Sequence, residues 1–557
     1  MKFIRLIIVI IPLVYICQSK ALSQLSEQQY FILSKYLDIF NSLLNKLNLY
    51  YVDTLNIENI MKNNISCTLK QLDQYTEYIS KENSSDFRFQ TTGQYGGIGA
   101  SVSIKNDKIV VSDTYEKMPA SLAGVIPGDE ILSINQKDIN GKTTSFVSKQ
   151  LQGQPNTNIK LKYKRSCWSK PKETIIKRKH IRINPVTYYG ILKNEIGYIC
   201  LSSFSAQSAL DIKKVLIFFK KNHPIKALIF DIRNNGGGII TECLEILNFF
   251  LPKKKLLLII KGKNKQVYKT FYTTESPIEP DLPLVILVNE NSASASEILS
   301  GAIQDTDRGI IVGTNTYGKG TVQSTYQLPY GTQLKLTTAK YYIPSGRCIQ
   351  SINCSHKNEK EEKITYQTPN KLVNVYYTDH NRPVIGGKGI LPDIIIKEEK
   401  IPAIVYYMET NFTFFDFAVQ WKINNHKIIS PLKFLLKKNI YDEFKKFIKT
   451  DTQQNLNFKQ KSKKVVNSLK NIVKSEGYYD KVSHEFQALE TKLNSNLIYD
   501  LDFYKSQIIK HLAMHIIKQY YFSKGQILYK LQNDSTINKA IEVLQNKKLY
   551  NTILNIK

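Results

Sequence analysis

Ser294 stands in "NSASASEILSGAIQD", between the apolar run Leu282 to Val288 and a stretch with helical periodicity. Ser294-Ala295-Ser296-Glu297 is an S-x-x-E capping box, the pattern that opens a helix. An isolated match of this kind is commonly a helix cap and nothing more. The same position also suits a nucleophile. A tight strand-to-helix turn holds the side chain out, and the free N–H groups of the first helical turn can stabilise an oxyanion. Small alanines on either side let a peptide approach.

A serine hydroxyl needs a base. The eight histidines are scattered through polar, helical or loop contexts. Lys319 is better placed, in "TYGKGTVQ" directly after the apolar "GIIVG". A solvated lysine, with a pKa of about 10.4, cannot accept a proton at neutral pH. Desolvation lowers that value and makes a buried lysine a usable base. The flanking glycines Gly318 and Gly320 permit the close backbone approach that burial requires. A surface lysine in a glycine turn is the competing reading of the fragment taken alone. Gln323, four residues on, would orient the amine if the segment were helical or turned. On a strand the two side chains would stand roughly 13 Å apart. A third segment, "IFDIRNNGGGII", runs from an apolar strand through Asp231 to three glycines. Such a run is either a plain link or a set of N–H groups aimed at a carbonyl oxygen. Gly238 and the N–H of Ala295 would then make a two-donor oxyanion hole.

These segments need a scaffold. "IGYICL", "KALIFDI", "LPLVILV", "GIIVG" and "TQLKLTTAKYYI" read as strands. "AQSALDIKKVLIFFKK" and "TECLEILNFFL" read as helices between them, so the region predicts a layered α/β core. Upstream, "YFILSKYLDIFNSLLNKLNLYY" and "SCTLKQLDQYTEYIS" carry helical periodicity. From "TTGQYGGIGASVSI" onward come short alternating strands, a helix near Pro119–Gly124 and turn signals, a strand-rich module of ordinary domain size. "HKNEKEEK" at 356–363 is a solvated insertion. Beyond Ile401 the chain is helical, with Lys-rich faces and apolar stripes that suit packing or dimerisation.

In order and spacing, "DIRNNGGG", "NSASASEILSGAIQD" with "VGTNTYGKGTVQ", and "LKLTTAKYYIPSGRCIQ" with "GKGILPDI" resemble the carboxy-terminal processing peptidases, or tail-specific proteases. The match runs from about residue 30 to 400. It implies an α/β fold: a layered protease core of crotonase-like type, an inserted PDZ domain, and helical N- and C-terminal regions. It divides the chain at 1–21 (signal peptide), 22–86, 87–167 (PDZ), 168–400 (protease core) and 401–557. It implies a Ser–Lys serine endopeptidase with Ser294 as nucleophile, Lys319 as base and Gln323 as orienting residue. Gly238 and Ala295 would form the oxyanion hole, with Asp305, eleven residues after Ser294, in support. "YGGIGASV" would be the PDZ carboxylate loop, with Gly97, Ile98, Gly99 and Ala100 receiving a substrate's C-terminus. No metal or cofactor is implied. The segment from Gln350 to Gly386 is longer than the compact family pattern, and the region beyond 400 occurs only in some subgroups. Two rivals are a non-catalytic PDZ scaffold and an acyl-CoA enzyme on a related core. The first leaves an intact Ser–Lys–Gln set unexplained, the second the PDZ module.

The remaining features concern location and partners. The chain has 557 residues, 42% hydrophobic, enough for several domains with cores of their own. Its 77 Lys+Arg against 47 Asp+Glu give a net charge of +30. Those lysines are interleaved with Asn, Ile and Tyr throughout, and no zinc-finger, RRM or KH signature accompanies them, so no nucleic-acid partner is expected. Lys2 and Arg5, then the apolar Leu6 to Cys17, then Ser19-Lys20-Ala21, form a signal-peptide layout. Export to the periplasm or cell envelope is expected, with an uncleaved membrane anchor as the alternative and a homo-oligomer compatible with the helical tail. The six later cysteines include no C-x-x-C pair, which argues against zinc. Cys348 and Cys354 lie in one loop, either paired or as two thiols.

Overall fold

The computed structural model describes residues 26–81, 93–263, 267–351, 374–397, 399–450, 461–492 and 497–556. The signal layout at 1–21, the 356–363 insertion and Cys354, hence the Cys348–Cys354 question, lie outside them. The chain divides into two compact units, residues 1–72 with 76–78, and residues 73–75 with 79–557.

In the first unit, α1 (Glu27–Tyr50) opens on a reciprocal capping box between Ser26 and Gln29, and α2 (Ile57–Lys70) is capped by Asn56. The helix expected through "SCTLKQLDQYTEYIS" ends at Lys70, and Glu77–Ile79 is a strand. In the second unit, Asp73 takes the Tyr75 N–H at 2.7 Å, a local turn that competes with helix.

The second unit begins with the strand-rich module. Strand β1 (Gln94–Gly97) pairs with β7 (Lys179–Arg182). A separate antiparallel sheet has the order β2 (Ala100–Lys105), β3 (Lys108–Thr114), β4 (Glu130–Ile134), β5 (Asn158–Lys164), β6 (Lys172–Lys177). Helix α3 (Pro119–Leu122) and helix α4 (Thr144–Leu151) close its core around Ile98, Val111, Val147 and Leu161. The last strand of this sheet lies past residue 167, because "SCWSKP" makes a hairpin turn between β5 and β6 rather than an exit.

The α/β core is built on a six-stranded sheet ordered β8 (Val186–Ile191), β9 (Ile196–Leu201), β10 (Ala227–Asp231), β13 (Leu284–Val288), β14 (Ile310–Gly313), β19 (Ile394–Ile395). All its pairs are parallel except β8 with β9. Side chains alternate across it with the strand period of two. Leu228, Phe230, Ile286 and Ile311 point into a core with α5 (Ser208–Asn222), α6 (Ile240–Asn248) and α7 (Ala295–Asp305). That core also takes Leu258, Ile260 and Tyr341 from a second sheet, in which β11 (Leu256–Gly262) pairs with β12 (Lys269–Tyr272) and β16 (Gln333–Tyr342), and β15 (Thr321–Gln327) pairs with β16. A short hairpin, β17 (Val375–Tyr377) with β18 (Pro383–Ile385), stands apart.

After residue 400 the helices include α8 (Ala403–Thr410), α9 (Thr413–Asn424) and the long Lys505–Lys530, packed around Phe414 and Phe444. The final two, Ser535–Gln545 and Lys547–Ile553, instead cover the outer face of the six-stranded sheet. Ile537, Ala540, Val543 and Tyr550 meet Ile229, Val285, Leu287 and Val312 there. Tyr550 donates from its hydroxyl to the Leu284 carbonyl at 3.2 Å and accepts the Leu284 N–H at 3.0 Å. Tyr550→Ala should cost about 3–5 kcal/mol of stability, measured by urea unfolding. A loss under about 1 kcal/mol would mean that these helices are not an integral layer.

Candidate active site

Ser294 ends the loop between β13 and α7, at φ 57 and ψ −115. A non-glycine residue here is strained, and strain of this kind persists only where the surroundings over-determine it. The determinant is Glu297. Its carboxylate accepts four hydrogen bonds: Ser294 N–H at 2.8 Å, Lys319 N–H at 2.9 Å, Gly318 N–H at 2.6 Å and Thr316 Oγ1–H at 2.6 Å. This is half of the expected capping box. The Ser294 hydroxyl faces the first turn of α7 without a hydrogen bond of good geometry to it, and Glu297 N–H goes instead to the Ser294 carbonyl at 2.8 Å. Burial pushes the Glu297 carboxyl up to about 7, against the downward pull of its four donors. Ionised, it can accept from all of them; a proton on it would need an acceptor of its own.

The glycine run lies against this turn. A Cβ on Gly237 would come within 2.8 Å of Ser294 Cβ and 2.9 Å of Ala295 N. Buried Asn235 fixes the approach. Its backbone carbonyl takes Ala293 N–H at 3.0 Å and Ser296 Oγ–H at 2.8 Å, while its side chain holds Leu201 O and Gly237 N–H, each at 2.9 Å. Gly238 bridges to Phe204, where a Cβ would meet the Phe204 carbonyl oxygen at 2.3 Å. The two flanking groups, Gly237 C=O and Ile239 N–H, make that bridge, so the Gly238 N–H points to the other side. Among the described residues, none accepts the N–H of Gly238 or Ala295. Asp231 beneath the loop is held by the Tyr198 hydroxyl at 2.7 Å and by Arg233, which also pairs with Asp534 at 2.8 Å.

Lys319 and Gly320 precede β15 and are neither helix nor strand. The helical turn that would set Gln323 beside Lys319 is therefore absent. Gln323 lies on β15, at a register shift against β16, and its Nε2 donates to Thr321 and Thr337 hydroxyls at 3.0 and 3.2 Å. The Lys319 amine lies over the Tyr75 ring, 4.7 Å from its centre. The structure thus joins the Ser294 and Lys319 backbones through Glu297, and it does not bring Gln323's amide to Lys319. Asp305 is buried against Arg347, whose Nη2 donates at 2.7 Å, and takes Ser345 N–H at 2.9 Å. It therefore secures the loop after β16.

In the strand-rich module, the carbonyls of Ile98 and Gly99 accept Ala120 and Tyr115 N–H groups at 2.8 and 3.0 Å. Gly97 pairs with Lys179, Gly99 is at φ 74, and Ala100 begins β2. Strand β2 is the edge of its sheet, with α4 beside it. Glu297's four-way role, Asn235, Tyr75 and Tyr341 were not singled out by sequence. Only Glu297 left a trace there, as a helix cap.

A strained serine at a strand-to-helix turn with N–H groups open beside it suits a nucleophile and its oxyanion, the arrangement a serine peptidase needs. The model of Peptidase family S41 matches residues 195–355, the PDZ domain model residues 96–176, and the model of a probable PDZ-protease C-terminal helical domain residues 404–544. A probable CtpA-like serine protease of Staphylococcus aureus is 32% identical over 65% of this chain and 70% of its own length. A carboxy-terminal-processing protease of Bartonella bacilliformis is 32% identical over 57% of this chain and 73% of its own. The photosystem II D1 C-terminal processing protease structure aligns with 64% of this chain and 87% of its own, at 23% identity and a TM-score of 0.35. The chain belongs to the carboxy-terminal processing peptidases of family S41.

Glu297→Ala would leave four donors around an empty acceptor position. We expect a loss of at least about 3 kcal/mol in stability, read by urea unfolding, and on the order of 10²-fold in peptide cleavage from the displaced Ser294 and Lys319. Wild-type cleavage by this variant would show that Glu297 does not set the site's geometry.

Proposed function

We propose that this serine peptidase is exported and cleaves protein substrates recognised by their C-terminal tails, using Ser294 and Lys319. The observation that carries the chemistry is the single carboxylate of Glu297 bound at once to Ser294 N–H and Lys319 N–H. It fixes the main chains of nucleophile and base to one another. The two side chains are not hydrogen-bonded in this resting arrangement, and catalytic contacts of this kind commonly tighten only with substrate. The amine leaves the Tyr75 ring, takes the Ser294 proton, and Oγ bonds to the peptide carbonyl carbon. The N–H groups of Gly238 and Ala295 hold the oxyanion. Protonated Lys319 then donates to the leaving amine, and water releases the acyl-enzyme. Gln323, with its N–H2 committed to two threonines, has Oε1 to offer the ammonium once the amine moves.

Substrate tails would add a strand to the edge of β2, with the terminal carboxylate at Gly97, Ile98, Gly99 and Ala100. Export rests on the layout of residues 1–21. Among the described residues, no helix is long and apolar enough to cross a membrane. Membrane association would act through the N-terminal segment, and self-association through the helical regions.

Ser294→Ala and Lys319→Ala should each abolish cleavage of a tail peptide while leaving a folded chain, since half of a nucleophile–base pair is worth little alone. The wild-type rate should climb with pH as the base loses its proton, and that limb should survive each His→Ala change. Cleavage retained by Lys319→Ala, or a limb lost with one histidine, removes Lys319 from the mechanism.

A further inference from the structure

Asp534 is the N-cap of the helix Ser535–Gln545, and its two carboxylate oxygens have different partners. Oδ1 accepts the Thr536 and Ile537 N–H groups at 2.9 and 3.1 Å, which caps the helix. Oδ2 accepts Arg233 Nη1–H at 2.8 Å, from a residue 301 positions away in the chain. The helix is itself anchored, with Ile537, Ala540 and Val543 buried against Ile229, Val285 and Leu287 of the central sheet. Asp534 is thus a fixed anion set against the start of the glycine loop.

Arg233 lies at the root of that loop, five residues before Gly238. Its Nε donates to both Asp231 oxygens at 3.0 and 3.1 Å, and its Nη2 to one of them at 2.6 Å. Its backbone N–H also goes to Asp231, at 3.0 Å. The bond to Asp534 takes the other arm of the guanidinium, so the fork is held from two sides instead of pivoting about Asp231. The next residues are stapled in turn. Asn234 exchanges hydrogen bonds with Asn289 at 2.8 and 3.0 Å, and Asn235 holds the Gly237 N–H. Asn234 sits at φ 58, a left-handed conformation that persists where its surroundings over-determine it. A loop in that state shifts when its root is released.

We propose that Asp534 is a positioning residue, which acts through Arg233 to hold the glycine loop where the Gly238 N–H meets the oxyanion formed at Ser294. This rests on the Ser294 and Gly238–Ala295 reading above. Asp534 touches no substrate and moves no proton. As Ser294 Oγ bonds to the carbonyl carbon, the charge that develops on the carbonyl oxygen takes a hydrogen bond from Gly238. A displaced donor therefore loses more in the transition state than in the bound substrate.

The two oxygens of Asp534 allow the cap and the clamp to be separated. In Asp534→Asn the remaining oxygen still caps the helix, since Asn caps as well as Asp. Its N–H2 then faces the guanidinium, donor against donor. Expected are a fall in kcat on the order of tenfold, smaller than the loss on removing an oxyanion donor outright, and KM within about twofold of wild type. A peptide aldehyde, whose adduct with Ser294 places an oxygen in the same hole, should bind more weakly by the same factor as kcat. An unreactive peptide of the same sequence should bind as it does to wild type. Glu542→Gln removes the same charge at an exposed position of this helix and should match wild type throughout. A merely structural Asp534 would lower Tm and the fraction of active enzyme, with kcat per titrated site and aldehyde affinity unchanged. That result overturns the proposal, as does a lower kcat with unchanged aldehyde affinity. If Asp534→Asn does not fold, Asp534→Ser caps by its hydroxyl without the carboxylate and is read by the same outcomes. In an Arg233→Met background, Asp534→Asn should cost nothing more; a further loss of the same size would mean that Asp534 does not act through Arg233. Where Arg233→Met does not fold, the position 534 kinetics alone decide. An active Ser294→Ala would sink the nucleophile on which this role depends. An inactive Ser294→Ala beside a wild-type-like Asp534→Asn would sink only the role given to Asp534.

Discussion

A carboxylate with no water around it must find its hydrogen bonds within the protein, and Glu297 finds four. Two come from the segment that leads into β15, one from Thr316 just before it, and one from the serine turn three residues upstream. Leaving any of these donors unmatched would be expensive in a dry interior. Glu297 therefore couples the strained backbone of Ser294 to the course of residues 316–319. Neither segment can relax without breaking bonds to the other. The strain at Ser294 persists because the whole arrangement pulls against its release.

Around this carboxylate the scaffold is ordinary α/β construction used with care. The parallel strands β10 and β13 end side by side, so the glycine loop after one and the serine turn after the other emerge together. Asn235 then locks loop to turn through both its main chain and its amide. Close packing at Gly237 and Gly238 leaves no room for a side chain, which places backbone N–H groups where a larger residue would put carbon. The second sheet supplies Tyr341, whose hydroxyl donates to the Lys319 carbonyl. Three layers thus meet around the Ser294 turn and the Lys319 segment.

Much of this architecture was legible in sequence because it is local. Leu282 to Val288 and "GIIVG" announce buried strands by continuous apolar character, and the serine turn announces a helix by its S-x-x-E spacing. The family followed from several such segments in order. What escaped was non-local. Glu297 reads as a helix cap, since three of its four donors come from residues 316, 318 and 319. Gln323 was read with a helical neighbour rule, whereas pairing with β16 draws residues 321–327 into a strand. The helix expected to run on past Lys70 yields to the Asp73 turn. Periodicity also could not separate the last two helices from the tail before them, although their apolar faces belong to the central sheet.

That last arrangement bears on the order of events during synthesis. A ribosome delivers β9, β10, β13 and β14 long before residues 535–553. Until those helices arrive, one face of the central sheet, with Ile229, Val285, Leu287 and Val312, has no cover. Arg233, under the glycine loop, likewise waits for Asp534. A nascent chain would thus carry the serine and lysine without a finished platform beneath them. The layer that finishes the central sheet is in this way supplied only after both the serine and the lysine have been translated.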